Sequence, residues 1–170
     1  MTPGRRRRPG VFLFSGIGTS SDGKRQKNGS QKGHRKAHGK AHGKEGLVRI
    51  ALLIVFGIAG TLARYWLQGL VQQRTASTFP TGTLVVNLTG CLFLGLIAQY
   101  ALTHITIPAD WRIGITVGFF GAFTTFSTFS FETARMLEDG EWTRAGTYLL
   151  TSIVGGIVAV IAGMRIADHI

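Results

Sequence analysis

Four long runs of apolar residues divide the chain beyond residue 46. They cover 47–71, 82–103, 111–136 and 145–164. Each approaches the roughly 20 apolar residues needed to cross the hydrocarbon core of a bilayer. The runs are continuous rather than alternating, and a backbone in lipid must satisfy its own hydrogen bonds, so the pattern predicts four spanning helices. The linker QQRTAST closes the first run, and Phe79, Pro80 and Thr81 read as a turn and helix start before the second. Pro108 marks the next loop, and the charged hairpin EDGEWTR at 138–144 precedes the fourth run.

The third run is the exception to simple greasiness. Residues 118–132 read GFFGAFTTFSTFSFE, with two glycines, six phenylalanines and the five hydroxyls of Thr124, Thr125, Ser127, Thr128 and Ser130. An apolar segment interrupted in this way is where a membrane helix opens its backbone, which is tolerated only in protein or along a cavity. A broken third helix is therefore expected, opening around Gly121 to Thr124. Among the other polar residues inside spans, Asn87, Glu132, Tyr148, Ser152 and Arg64 stand out. Polar groups at membrane depth are costly and mark functional positions.

Charge changes the picture at one end only. Residues 1–45 hold twelve of the nineteen Lys and Arg and two of the eight acids, so the basic pI describes a tail. Its composition has almost nothing to bury, and disorder is expected over 1–45, with 46–170 forming the four-helix membrane domain. The apolar VFLF within it is too short for the core of a secretory signal. His34, His38 and His42 lie four apart, but Gly33, Gly39 and Gly43 argue against the helix that would align them. The tail suits anionic lipid headgroups, and no nucleic-acid partner is expected. Outside it, Arg49, Arg112 and Arg165 fall on one side of the membrane and Arg74, Arg135 and Arg144 on the other. With no bias to orient it, the chain inserts both ways, and two copies of opposite orientation form an antiparallel dual-topology dimer. The tail, counted by the same rule, holds the N-terminus in the cytoplasm and so favours an oppositely oriented paralogous partner instead.

Four spans are too few to enclose a pore, so the polar insert needs a second subunit to face. Gly57, Gly60, Gly90, Gly114, Gly118, Gly155 and Gly156 offer close helix contacts. Catalysis has no support: no nucleophile and base set and no metal-ligand spacing lies in the apolar part, while His104 and His169 sit at span ends and the single cysteine, Cys91, reads as a small buried hydrophobe. What remains is a set of donors and positive edges: hydroxyls, an amide, an arginine and phenylalanine rims. These suit a small anion that must shed water. Phe126 and Phe129 share a face at i,i+3, and Tyr148, Ser152 and Gly156 follow one stripe. Thr151 is expected to bond back to a carbonyl of its own helix, and Phe119, Phe120 and Phe123 to pack in the core. Arg64 either snorkels to a headgroup or lends positive potential to a vestibule. Carbonyls freed by the broken helix are able to hold a cation such as sodium.

GFFGAFTTFSTF at 118–129, with GIAGTLARY at 57–65 and GTLVVNLTG at 82–90, closely resembles the signature of the Fluc (CrcB) fluoride channels. The resemblance covers about 47–165. It implies a homodimer with two fluoride pores and a central sodium ion held by the carbonyls of Gly121 and Thr124. Phe126 and Phe129 would face fluoride, Asn87 would be a pore donor, and Tyr148 and Ser152 a polar track, with Thr125, Ser127, Thr128 and Glu132 along the pathway and Arg64 in the vestibule. Gly156 stands where a further hydroxyl would extend the track. The implied activity is passive export of fluoride across the cell membrane. The alternative from the residues is a small multidrug-type proton-coupled exporter, which needs a carboxylate in the first span where this chain has Arg64. A third is a non-conducting assembly subunit with a binding tail.

Overall fold

The computed structural model describes residues 31–75, 77–103 and 107–170, with side chains from residue 46 onward. Its regular structure is all helical. α1 (Gln31–Thr75) and α2 (Thr81–Thr103) are followed by α3 (Ala109–Ile113), a π-helical stretch (Gly114–Phe119), α4 (Phe120–Phe123), α5 (Phe126–Glu138) and α6 (Trp142–Ala167). Among the described residues four segments are long and apolar enough to span a membrane: Gly46–Thr75, Thr81–Thr103, Ala109–Glu138 and Trp142–Ala167. Each contains one of the predicted runs and extends it at its ends, because interfacial Gln, Arg, Glu and Trp continue the helix after the apolar stretch stops.

Turn chemistry sets the boundaries. The Leu84 N–H donates to the Pro80 carbonyl at 3.1 Å, so proline supplies the first acceptor of α2 without needing a donor of its own. Between α5 and α6, Gly140 takes φ 77° and the Glu141 N–H reaches back to the Met136 carbonyl at 2.8 Å, closing the helix in the manner that a left-handed glycine permits.

Helices α2 and α6 are seated on each other by a reciprocal pair of glycines. A Cβ on Gly95 would overlap the Val160 carbonyl, and one on Gly163 would overlap the Leu92 carbonyl. Lipid provides no hydrophobic drive for helix association, so such backbone-to-backbone contact is what packing must use. Gly60 likewise lies against the Phe119 carbonyl at the π-helical stretch. Phe120, Phe123 and Val86 form one buried cluster, and Phe129, Met136, Ala145 and Tyr148 another. Phe120 and Phe123 thus pack as the sequence suggested.

Two expectations need correction. The backbone is helical from Gln31, across Gly33, Gly39 and Gly43, where the composition argued for disorder. The Lys, Arg, Gln and Ala residues between the glycines are strong helix formers and offset them. Residues 1–30 and the side chains of His34, His38 and His42 lie outside the described residues, as does His104. The second correction concerns Gly121, which stays inside α4; the extended residues are Thr124 (φ −82°, ψ 153°) and Thr125 (φ −142°, ψ 100°).

Candidate functional site

The helical path stops at Phe123 and resumes at Phe126, and side chains hold the intervening backbone. The Thr125 N–H donates to Asn87 Oδ1 at 2.9 Å, and Asn87 Nδ2 donates to the Thr125 carbonyl at 3.4 Å. Thr125 Oγ1 caps α5 by accepting from the Thr128 N–H at 3.3 Å and donates to Thr128 Oγ1 at 2.7 Å. In a continuous helix the Thr125 and Thr128 N–H groups would serve the carbonyls of Gly121 and Thr124. Both donors are diverted, and those two carbonyls are left to other partners. Thr124 does not help them, since its own N–H and Oγ1 both donate to the Phe120 carbonyl, at 3.0 and 2.9 Å.

One turn further along α5, Glu132 collects hydroxyls from two other spans. Thr83 Oγ1 on α2 donates to Oε1 at 2.8 Å, and the Tyr148 hydroxyl on α6 donates to Oε2 at 2.7 Å. Gln68 Nε2 on α1 donates in turn to Thr83 Oγ1 at 3.1 Å. One chain of hydrogen bonds around Glu132 therefore links all four spans. Thr83 is 1% exposed and Tyr148 fully buried. A half-buried carboxylate is tolerable when each oxygen has its own donor, as here.

Aromatic rings surround this group. The Tyr148 ring meets Phe79 edge-on at 5.5 Å and Phe129 at 5.1 Å, and Phe129 lies 5.8 Å from Phe126. The two phenylalanines do not share one environment, however. Phe129 is 7% exposed and Phe126 80%. Gly121 and Ser127 are exposed alongside Phe126, so one face of the interrupted span is open among the described residues.

A family model for CrcB-like protein, Camphor Resistance (CrcB), matches residues 51–164. The chain belongs to the CrcB-like family. A fluoride-specific ion channel FluC of Geobacter metallireducens is 43% identical over 124 residues, covering 73% of this chain and 100% of the relative. Proteins of the same name from Geobacter sp. strain M21 (46% over 123 residues, 72% and 97% covered) and Nitrosococcus oceani (42% over 122 residues, 72% and 98%) are similarly related. These relatives are channels by name rather than enzymes. With its four spans, this CrcB-like chain is a multi-pass membrane protein.

The remaining residues of interest in the CrcB-like chain fall elsewhere. Arg64 is half-buried, with its Nε buried and without a hydrogen-bond partner among the described residues. Ser152 Oγ is buried without one too, and the residue lines a hollow shared with Cys91 and Gly156 rather than continuing the Tyr148 hydroxyl toward Glu132. Thr151 donates to the Thr147 carbonyl at 2.7 Å, as expected of an exposed helical threonine. Ser130 is occupied in the same way by the Phe126 carbonyl. Glu132 opens onto a cleft of about 760 Å³ whose walls include Tyr65, Gln68, Gln72, Arg135 and Arg144. Thr83 and Gln68 were absent from the sequence-based set, although a signal existed. Thr83 lies one helical turn before Asn87 on α2, and Arg64, Gln68 and Gln72 form an i,i+4,i+8 polar stripe along α1.

Proposed function

We propose that the chain is a fluoride channel subunit that lets fluoride leave the cytoplasm passively, working as a dimer of two oppositely oriented copies in the cell membrane. The observation that carries this reading is membership of a family whose fluoride-specific members match along 94–100% of their length. Four spans with polar groups at membrane depth agree with it. The face bearing Gly121, Phe126 and Ser127 is exposed among the described residues, and an interrupted backbone is not stable against lipid, which favours a second copy over it. Outside residues 1–45, Arg49, Arg112 and Arg165 at one membrane end are matched by Arg74, Arg135 and Arg144 at the other, leaving little basic bias in the spans to orient a single copy.

Fluoride is small and strongly hydrated, so a path for it must replace water with donors at close spacing. The ring edges of Phe126 and Phe129 carry the positive side of the aromatic quadrupole. Tyr148 and Thr83 carry hydroxyl protons, and in this state both protons are given to Glu132. A fluoride arriving there competes with the carboxylate for the same two protons. Anion passage at this level therefore means exchange of hydroxyls between Glu132 and fluoride, with larger halides too long to take both. Asn87 acts differently from a free pore donor: its acceptor and one N–H are spent on Thr125, so it fixes the interruption in place.

A sodium ion fits the donor set at the interruption. The carbonyls of Gly121 and Thr124, deprived of their helical N–H partners, are hard oxygen donors of the sort such an ion takes. Bound there between two copies, it would supply positive charge that holds the interrupted spans together. Fluoride efflux from liposomes containing the purified chain alone, read with a fluoride electrode against chloride efflux, tests the whole reading. Selective fluoride release supports it, and equal release of chloride and fluoride overturns it.

A further inference from the structure

We propose that Gln68 is a positioning residue that sets the direction of the hydroxyl protons at Glu132, and with it the ease with which fluoride displaces the carboxylate. The inference deepens the fluoride-channel reading. A threonine hydroxyl has one proton and two lone pairs. Thr83 Oγ1 lies 3.1 Å from Gln68 Nε2 and 2.8 Å from Glu132 Oε1. The amide nitrogen can only donate, so it occupies a lone pair of Thr83 and leaves the threonine proton to Glu132. The result is a chain of bonds running one way, from Gln68 N–H through Thr83 O–H to the carboxylate, met from the other side by Tyr148 O–H at 2.7 Å. Bonds aligned in this manner polarise and strengthen one another.

Backbone geometry keeps Gln68 at this post. A Cβ on Gly82 would lie 2.5 Å from the Gln68 carbonyl oxygen and 3.1 Å from its Cγ, so α1 and α2 meet in backbone contact just where Thr83 begins its turn. Gln72, one turn along α1, fastens the same corner. Its Nε2 donates to the carbonyls of Ser77 and Phe79 at 2.6 and 3.1 Å, and its Oε1 accepts from the Gly82 N–H at 3.1 Å. Gln68 therefore reaches Thr83 from a fixed base and lines the cleft through which an anion meets Glu132. Removing its amide leaves Thr83 free to turn and loosens its hold on Glu132, so fluoride competes better for the site.

The test uses the full chain in two assays. In liposomes, Gln68→Leu is expected to lower the half-saturating fluoride concentration about threefold, the effect of one neutral hydrogen bond. In a Thr83→Val background the same change is expected to do nothing, because the threonine carries the effect. A structural role for Gln68 would instead give equal shifts in both backgrounds, or a lower melting temperature with no shift, and either result overturns the proposal. The second assay needs no flux. The infrared carboxylate band of Glu132, assigned by its loss in Glu132→Gln, should move in Gln68→Leu and in Gln68→Glu, which keeps the side-chain volume but exchanges donor for acceptor. A band unmoved by both substitutions sinks the positioning role even if fluoride passes. A band that moves in a chain that passes no fluoride upholds it while removing the channel reading.

Discussion

Asn87 and Thr125 are joined through both edges of the asparagine amide, which takes the threonine N–H at 2.9 Å and donates to its carbonyl at 3.4 Å. A side chain on one span thus stands in for a strand edge and holds two residues of another span extended. Replacing it by alanine leaves the Thr125 N–H without its partner at membrane depth, while the Thr125 carbonyl keeps the Phe129 N–H at 3.4 Å; the cost is about 1–3 kcal/mol. The Thr125 N–H can then turn back to the Gly121 carbonyl. Asn87→Ala should therefore lose fluoride efflux, and should also lose any rise in melting temperature that sodium, compared with a bulky organic cation, gives the native protein. Retention of both effects would show that the amide is not what keeps the interruption open.

Phe126 and Phe129 separate on exposure. Phe126→Ile should abolish fluoride efflux with little change in the melting temperature of the isolated chain, because its ring is 80% exposed. Phe129→Ala should instead lower stability by about 3 kcal/mol, since it opens a cavity against the Tyr148 ring. Thermal melts read beside efflux distinguish the two.

Tyr148→Phe removes the donor to Glu132 Oε2, and Thr83→Val the donor to Oε1. Each single change should slow fluoride efflux about tenfold, and the double change should fall short of the product because both act through one carboxylate. Fully multiplicative losses would mean that the two hydroxyls serve separate points.

Removal of residues 1–45 tests the tail. The family match spans 51–164, and the four spans begin at Gly46. Efflux per protein should stay within about twofold, because the arginines left near the span ends are balanced across the membrane and still permit both orientations. Loss of efflux would assign the tail a part in assembly.

Much of the architecture was legible because spanning helices announce themselves by length. The opening and closing residues of each span were less so: interfacial Gln, Arg and Trp continue a helix while breaking its apolar pattern. The π-helical stretch carries no sequence mark in GITVGF at 114–119. At the site, Asn87, Thr125, Thr128, Glu132 and Tyr148 could be named from their cost in a membrane, but their pairing could not. Thr83 and Glu132 are 49 residues apart, and a membrane threonine ordinarily bonds its own helix, as Thr89 does with Val85. Only the crossing of α2 and α5 turns the Thr83 hydroxyl elsewhere. Gly121 drew attention as the weakest helix former of the insert, yet the path leaves the helix after it, where Asn87 and the Thr125 cap offer the backbone a better bargain.

The interlocked glycines of α2 and α6 carry a last consequence. With Gly95 against Val160 and Gly163 against Leu92, neither helix can slide or roll without driving one main chain into the other. One of these helices bears Thr83 and Asn87, and the other bears Tyr148. In the proposed channel the two jaws of a caliper would thereby be set at folding, their spacing held by main chain against main chain.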